Sequence, residues 1–365
     1  MRAIACCLVS LFLLGAVLQL EAGGADDLIE SYDLEVADTP VRERPGWRKP
    51  ERILVAYQGS ESLAWLQEAV PDVDLVGVGG EREALEKLEG ADGVIGLCTS
   101  KLLEAGKSLR WIQLYTAGVE NCVGLPAFSE RKPLLTNMQR IAGPVIAEHV
   151  MAMVLALSRN LDGFIGFQEG GQWRRDATGD MQVIRGKTML VAGLGGIGTE
   201  TARRAHALGM AVTATRASSR EGPDYVSRVG LPEELPELAA EADVIVNALP
   251  LTDETRDLFD ADLFATMKSS ALFINVGRGD TVVTGDLVAA LNDGEIAGAG
   301  LDVTDPEPLP ADHPLWHVPN TIITPHVATR SDLEGEARWR VVRENLRRYI
   351  AGEPMLSVVD PERGY

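Results

Sequence analysis

Three glycines at G-x-G-x-x-G spacing, Gly193, Gly195 and Gly198, constrain this chain more than any other feature. The apolar run Thr188–Ala192 precedes them and reads as a buried strand. Thr199–Leu208 follows with helical composition, Gly209 closes it, and a second apolar run, Met210–Thr215, comes at once. Strand, tight turn, helix and strand in that order make a dinucleotide-binding unit. The first glycine permits the sharp turn, the second lets the backbone approach a pyrophosphate, and the third lets helix and strand pack closely. The pyrophosphate rests on free N–H groups at the helix start, where the helix dipole favours an anion. The stretch Gly193, Leu194, Gly195, Gly196, Ile197, Gly198 is therefore the expected nucleotide cradle.

The rest of the chain repeats this alternation. Strands are predicted at Arg52–Tyr57, Leu75–Val78, Gly93–Leu97 and Trp111–Tyr115, with helical patterns such as Glu81–Leu88 between them. After the glycines, strands are predicted at Val244–Leu249, Ala271–Val276 and Thr321–Thr324. Strands that alternate with helices argue for α/β domains with parallel sheets. Pro144–Asn160 is a long apolar helix suited to bridge two domains, and Ser331–Ala351 is a final amphipathic helix. The expected layout is residues 48–149 as the first part of a substrate domain, 150–326 as the nucleotide domain, and 327–355 as a helix returning to the first. Residues 25–47, polar and carrying Pro40 and Pro45, read as a linker.

The first residues carry a targeting pattern. Arg2 is followed by the uncharged, mostly apolar run Ala3–Leu20 and then by Glu21, Ala22, Gly23 and Gly24. Residues 1–24 thus resemble a secretory signal peptide, and the alternative is an uncleaved membrane anchor. A formal net charge of −20 argues against nucleic acid or an anionic membrane surface as the main partner. Cys6 and Cys7 lie in the leader, which leaves Cys98 and Cys122, expected as two separate thiols although an oxidising compartment would allow them to pair. No metal-ligand spacing is present, and no metal is expected.

Three side chains with acid–base or anion-binding chemistry sit at or just beyond the C-terminal ends of predicted strands, the ligand side of a doubly wound sheet. Arg278 lies in Asn275-Val-Gly-Arg-Gly279, Glu307 in a proline-stiffened loop ending at Pro308, and His326 directly after Thr324 and Pro325. A guanidinium binds a carboxylate in bidentate fashion and polarises a neighbouring carbonyl. An imidazole exchanges a proton near neutral pH, and a carboxylate beside it fixes its tautomer and favours its charged form. Each residue alone is equally well an ordinary surface charge or strand cap; behind a nucleotide fingerprint the set points to catalysis. Of the remaining histidines, His149 reads as structural within its apolar helix, and His206, His313 and His317 carry weaker signals.

Across Arg52–Pro354 the chain resembles the D-isomer-specific 2-hydroxyacid dehydrogenases. The stretches that carry the resemblance are Leu109–Glu120, Ala147-Glu-His149, Gly193–Gly198, Ala248–Arg256, Asn275–Gly279, Gly300–Val303, Glu307-Pro308 and Thr324-Pro-His326. The resemblance implies two Rossmann-like domains, the catalytic one split in sequence around the inserted cofactor domain, and a homodimer. It implies Arg278, Glu307 and His326 as the catalytic set, and Thr116, Ala117, Gly118, Val119 and Arg278 as the substrate site. It adds Leu249, Pro250, Val276, Gly277 and Asp302 to the cofactor contacts, with Asp302 near the nicotinamide carboxamide. At the end of the second cofactor-domain strand, NAD-preferring members carry an acidic residue. Here Thr215 and Arg216 stand there, followed by Ser218, Ser219 and Arg220, which suits a 2′-phosphate and favours NADP.

The expectation is an NAD(P)-dependent oxidoreductase that interconverts a small 2-oxoacid and a (2R)-hydroxyacid. The rival is a non-catalytic nucleotide-sensing or corepressor-like module, which has no use for the Arg278, Glu307 and His326 set. The leader sits uneasily with a nicotinamide enzyme, since free nicotinamide cofactors are scarce outside the cytoplasm. The expected location is exported or periplasmic, the alternatives being membrane-anchored or cytoplasmic.

Overall fold

The computed structural model describes residues 24–57, 60–179, 181–332 and 334–361. The expected leader, residues 1–24, falls almost wholly outside them. The chain divides into two compact units, one built from the residues up to Ile141 together with Asp332 onward, the other from Ala142–Ser331. The first unit is thus interrupted in sequence by the second.

The first unit holds five parallel strands: β1 (Arg52–Ala56), β2 (Asp74–Val78), β3 (Gly93–Ile95), β4 (Trp111–Gln113) and β5 (Leu134–Thr136). Their order is β2-β1-β3-β4-β5, one of the two common doubly wound orders. Ile53, Val55 and Trp111 are buried on one face against Val341, Val342, Leu346 and Tyr349 of the helix Glu334–Ala351. Trp111 and Tyr349 stack at 4.7 Å. Burying each such side chain stabilises the unit by roughly 1.5–3 kcal/mol.

Two expectations are corrected in this unit. Residues 25–47 are no linker. Ala25–Tyr32 is a helix, and Leu28, Leu34 and Val41 are buried in the core that includes Val341 and Leu346. Arg140 pairs with Asp33 and, at 2.6 Å, with Glu35, and Arg340 pairs with Asp27 at 3.0 Å. The polar average of the segment hides a one-sided helix whose apolar residues have a partner only in the fold. Cys98 and Cys122 are not separate thiols but a disulfide with Cα atoms 5.5 Å apart. Cys98 follows β3 and Cys122 follows β4. These strands are neighbours, so their C-terminal loops lie side by side, which the sequence alone does not reveal.

The second unit holds seven parallel strands: β6 (Thr188–Ala192), β7 (Ala211–Thr215), β8 (Arg228–Gly230), β9 (Val244–Asn247), β10 (Leu272–Asn275), β11 (Gly298–Leu301) and β12 (Thr321–Ile323). The order β12-β11-β10-β9-β6-β7-β8 reverses between β6 and β9, the switch point at which such sheets bind ligands. The strands are apolar on both faces, as helices on both sides require. Leu190, Ile245 and Phe273 face one core with Phe259 and Phe264. Met189, Val191, Val246 and Ile274 face the other, with Ile146, Val150, Met153 and Val154 of the helix Gly143–Ser158. That whole helix belongs to the second unit, which therefore begins at Ala142 rather than at residue 150.

Candidate active site

The glycine cradle, Arg278, Glu307 and His326 all lie in the second unit. Gly193 ends β6 at φ +96, a backbone conformation that suits glycine. A Cβ on Gly198 would lie 2.0 Å from the Gly193 carbonyl oxygen, so only glycine lets the helix Gly196–Ala207 start against the strand. Gly195 caps that helix, and a Cβ there meets nothing within 4 Å. The first bond back along the helix is Thr199 N–H to Gly195 C=O, so the N–H groups of Gly196, Ile197 and Gly198 precede any intrahelical acceptor. This open helix start suits a pyrophosphate.

Loops after β9 and β10 close on the same edge. Asn247, fully buried, donates to Asn275 Oδ1 at 3.1 Å and to Thr281 Oγ1 at 2.7 Å, while its Oδ1 accepts Leu249 N–H. Asn275 accepts Gly277 N–H at 3.0 Å and donates to the Arg278 carbonyl at 3.1 Å. The network fixes Leu249 and Gly277 beyond the C-terminal ends of β9 and β10, next to Pro250 and Val276 in the chain. Sequence reasoning missed Asn247 and Thr281 as positioning residues, although an asparagine ending an apolar strand is a usable signal.

At the end of β7, Thr215 is buried and Arg216 is half-buried. Arg216 Nη1 meets the Glu221 carbonyl at 3.3 Å. Arg220 instead pairs with Glu234 at 2.5 Å, a carboxylate also bound by Arg228 at 2.8 Å. The Leu231 N–H, with Arg228 and Arg220, holds the Glu234 carboxyl down to about 2. Arg216 thus meets a backbone carbonyl, whereas Arg220 is charge-compensated by Glu234.

Arg278 follows β10 and precedes the turn Gly279–Thr281. Its Nη1 donates to the Gly277 carbonyl at 2.7 Å. A Cβ on Gly279 would lie 2.0 Å from the Thr304 carbonyl oxygen, so this glycine lets the Arg278 turn approach the loop after β11. Glu307 is on that loop. Its Oε1 lies 2.7 Å from His326 Nδ1, with the two side chains 43% and 46% exposed.

His326 follows β12 at φ +52, a strained conformation for a non-glycine residue. Its N–H donates to the Asp302 carbonyl at 2.8 Å. Asp302, which the resemblance set near the cofactor, is only 3% exposed, and its carboxylate accepts Thr324 Oγ1–H at 2.6 Å, Val327 N–H at 2.9 Å and Ala328 N–H at 3.0 Å. Thus the structure brings Glu307 and His326 together and carries Arg278 on the neighbouring strand end. Among the described residues, no group of three or more His, Cys, Asp or Glu side chains is set to hold a metal ion.

Thr116, Ala117, Gly118 and Val119 lie in the first unit, in the loop after β4. Asn137 Nδ2 donates to the Ala117 carbonyl at 2.6 Å, and Thr116 Oγ1 donates to the Gly118 carbonyl at 2.9 Å. The Cys98–Cys122 disulfide ties the helix that starts at Glu120 to the loop after β3.

A doubly wound domain with this glycine cradle, and with a histidine–carboxylate pair beyond the strand ends, has the features of a nicotinamide-dependent oxidoreductase. The model for the D-isomer specific 2-hydroxyacid dehydrogenase NAD-binding domain matches residues 151–328. Glyoxylate/hydroxypyruvate reductase B of Escherichia fergusonii is 34% identical over 286 residues, covering 77% of this chain and 87% of that protein. A crystal structure of a D-isomer specific 2-hydroxyacid dehydrogenase family protein from Aeromonas salmonicida superposes with a TM-score of 0.74 at 32% identity, covering 86% of this chain and 100% of that one. An NADPH-dependent glyoxylate/hydroxypyruvate reductase from Sinorhizobium meliloti, in complex with NADP and sulfate, gives a TM-score of 0.75 at 26% identity over 86% of this chain and 100% of that one. The protein belongs to the D-isomer specific 2-hydroxyacid dehydrogenase family.

Proposed function

We propose that the protein reduces small 2-oxoacids to 2-hydroxyacids, of (2R) configuration where C2 is a stereocentre, with glyoxylate and hydroxypyruvate the first substrates to try, and prefers NADPH to NADH. The observation that carries the reading is the 2.7 Å Glu307–His326 pair at the strand ends of a domain whose glycine cradle fits a dinucleotide. Gly195, Gly196, Ile197 and Gly198 would hold the pyrophosphate, and Leu249, Pro250, Val276 and Gly277 would line the nucleotide crevice. When bound, the reduced nicotinamide supplies a hydride to the carbonyl carbon. Arg278 binds the oxoacid through its guanidinium and polarises the carbonyl. His326 delivers the proton that turns the developing alkoxide into a hydroxyl, and Glu307 favours the charged imidazole that carries it. A nucleotide-sensing role has no need of such a dyad. The test is oxidation of NADPH and of NADH in the presence of a panel of 2-oxoacids. The reading fails if both nucleotides bind and none of the oxoacids is reduced.

The NADPH preference rests on Arg216, whose guanidinium meets a backbone carbonyl and which follows a strand that ends in Thr215, with no acidic residue at that strand end to take the ribose hydroxyls. A homodimer through the second unit is supported by its exposed apolar side chains: Trp173 is 90% exposed, Val183 67% and Ile165 56%. Isolated apolar side chains are ordinary, but this many within one stretch favour a partner surface. Light scattering on the purified protein distinguishes a dimer from a monomer. Export is supported by the apolar run Ala3–Leu20 and by the Cys98–Cys122 disulfide, a bond that persists in oxidising compartments. N-terminal sequencing of the protein recovered from fractionated cells tests it, and a cytoplasmic protein that retains Met1 overturns it.

A further inference from the structure

We infer that His149 is a positioning residue for the acid–base histidine, acting through Thr324 and Asp302; the inference rests on the role given to His326 above. His149 lies on the helix Gly143–Ser158, on the side that carries the buried residues Ile146, Val150 and Met153. Its side chain is 24% exposed, and its Nε2 lies 2.9 Å from Thr324 Oγ1 and 3.8 Å from Asp302 Oδ1. An apolar helix needs no imidazole for packing, and a partly buried ring nitrogen needs a partner.

The proton count fixes the direction of each bond. Asp302 receives the Val327 and Ala328 N–H groups, so its carboxylate acts as an acceptor. The Thr324 hydroxyl has a single proton, and at 2.6 Å it goes to Asp302. The hydroxyl oxygen therefore accepts from His149, and the proton of His149 sits on Nε2. His149 thereby points the Thr324 proton inward. Asp302 in turn grips the turn on both sides of Pro325, through Thr324 before it and Val327 and Ala328 after it. Between those grips stands His326 at φ +52, with its own N–H on the Asp302 carbonyl. A backbone conformation of this kind persists only where its surroundings over-determine it. Without the His149 donor, only the bond to Asp302 holds the Thr324 hydroxyl, and the grip before His326 loosens.

The experiment measures kcat, KM for the oxoacid and the nucleotide Kd of H149F, H149Q, T324V and the double variant H149F/T324V, with H326A in the same series. H149F is expected to lower kcat roughly tenfold, the scale on which small misplacements of a catalytic group act. The nucleotide Kd should hold, and KM should move less than kcat. H149Q carries an amide N–H to the same oxygen and should recover most of the loss. T324V should match H149F, and the double variant should be no slower than T324V, because the two act along one chain. If H149F does not fold, H149A takes its place with the same expected loss. The inference is overturned if H149F keeps wild-type kcat, if H149Q is as slow as H149F although folded, or if the two losses multiply. An H326A enzyme with near-full activity overturns the reading of His326 and this inference with it. An inactive H326A beside a fully active H149F removes this inference alone.

Discussion

Replacing Glu307 by glutamine isolates the charge of the dyad, since shape and hydrogen-bonding reach are kept. In the wild type, the Glu307 Oε1 sits 2.7 Å from His326 Nδ1. A hydrogen bond to a charged group contributes about 1.5–3 kcal/mol, and a neutral one about 0.5–1.5 kcal/mol. The difference is about 1–1.5 kcal/mol, which is roughly five- to tenfold in rate. Both side chains are almost half exposed, at 43% and 46%, so solvent screening places the effect at the lower end of that range. E307Q should therefore reduce oxoacids roughly fivefold more slowly at neutral pH. KM for the oxoacid and the nucleotide Kd should stay close to wild type, because neither depends on the imidazole proton. The assay is the rate of oxoacid reduction by wild type and E307Q at saturating nucleotide, with nucleotide affinity measured on the same preparations. An E307Q enzyme as fast as wild type would refute the assignment of Glu307 to His326.

Arg216→Asp should shift the ratio of kcat/KM for NADPH over NADH down by roughly 10- to 100-fold, the worth of one or two charge-assisted hydrogen bonds; an unchanged ratio excludes Arg216 from nucleotide choice. The Cys98–Cys122 disulfide closes a separation of 24 residues, so C98S/C122S should unfold with roughly 3 kcal/mol less stability in urea; equal stability with and without reductant would contradict it. Burial raises the Asp243 carboxyl, but the Thr188 N–H and Lys268 outweigh it and hold it below the usual carboxylate range. A depressed carboxylate stabilises the fold above its unfolded value of about 3.9 and loses that stabilisation as pH falls through its folded value. D243N should thus cost about 1–2 kcal/mol at neutral pH in urea unfolding, with the gap to wild type closing in acid.

The sequence carries most of this fold because the strands of the second unit are apolar on both faces and are bounded by glycine, proline or polar residues. Thr188–Ala192 is read with its bounds intact, and β7, β9, β10 and β12 within one or two residues. The strands left unread are three or four residues long: Leu134–Thr136, Arg228–Gly230 and Gly298–Leu301. A charge dilutes the β signal in Arg228–Gly230 and two glycines do so in Gly298–Leu301, while Leu134–Thr136 is too short to show a period, and pairing with a neighbour decides the conformation. Arg278 and His326 are visible as chemistry at predicted strand ends and Glu307 as a carboxylate in a proline-stiffened loop, whereas the 2.7 Å contact of the last two joins residues that only the β11 and β12 loops bring together. Thr281, His149 and Thr324 are invisible as positioning residues, and Asn247 shows itself only as an asparagine ending an apolar strand. Their partners lie on other strands, and nothing in the local sequence names a partner. The 25–47 segment misled because its few apolar residues are one-sided, and a composition average cannot register a face.

The central claim is that His326, held by Glu307, supplies the proton for oxoacid reduction. The most direct test is kcat/KM of His326→Ala for the best oxoacid of the panel, with nucleotide affinity measured on the same preparation. The account predicts a fall of roughly 10²–10⁴-fold with nucleotide affinity unchanged. A His326→Ala enzyme that binds nucleotide and reduces the oxoacid at near the wild-type rate would contradict it.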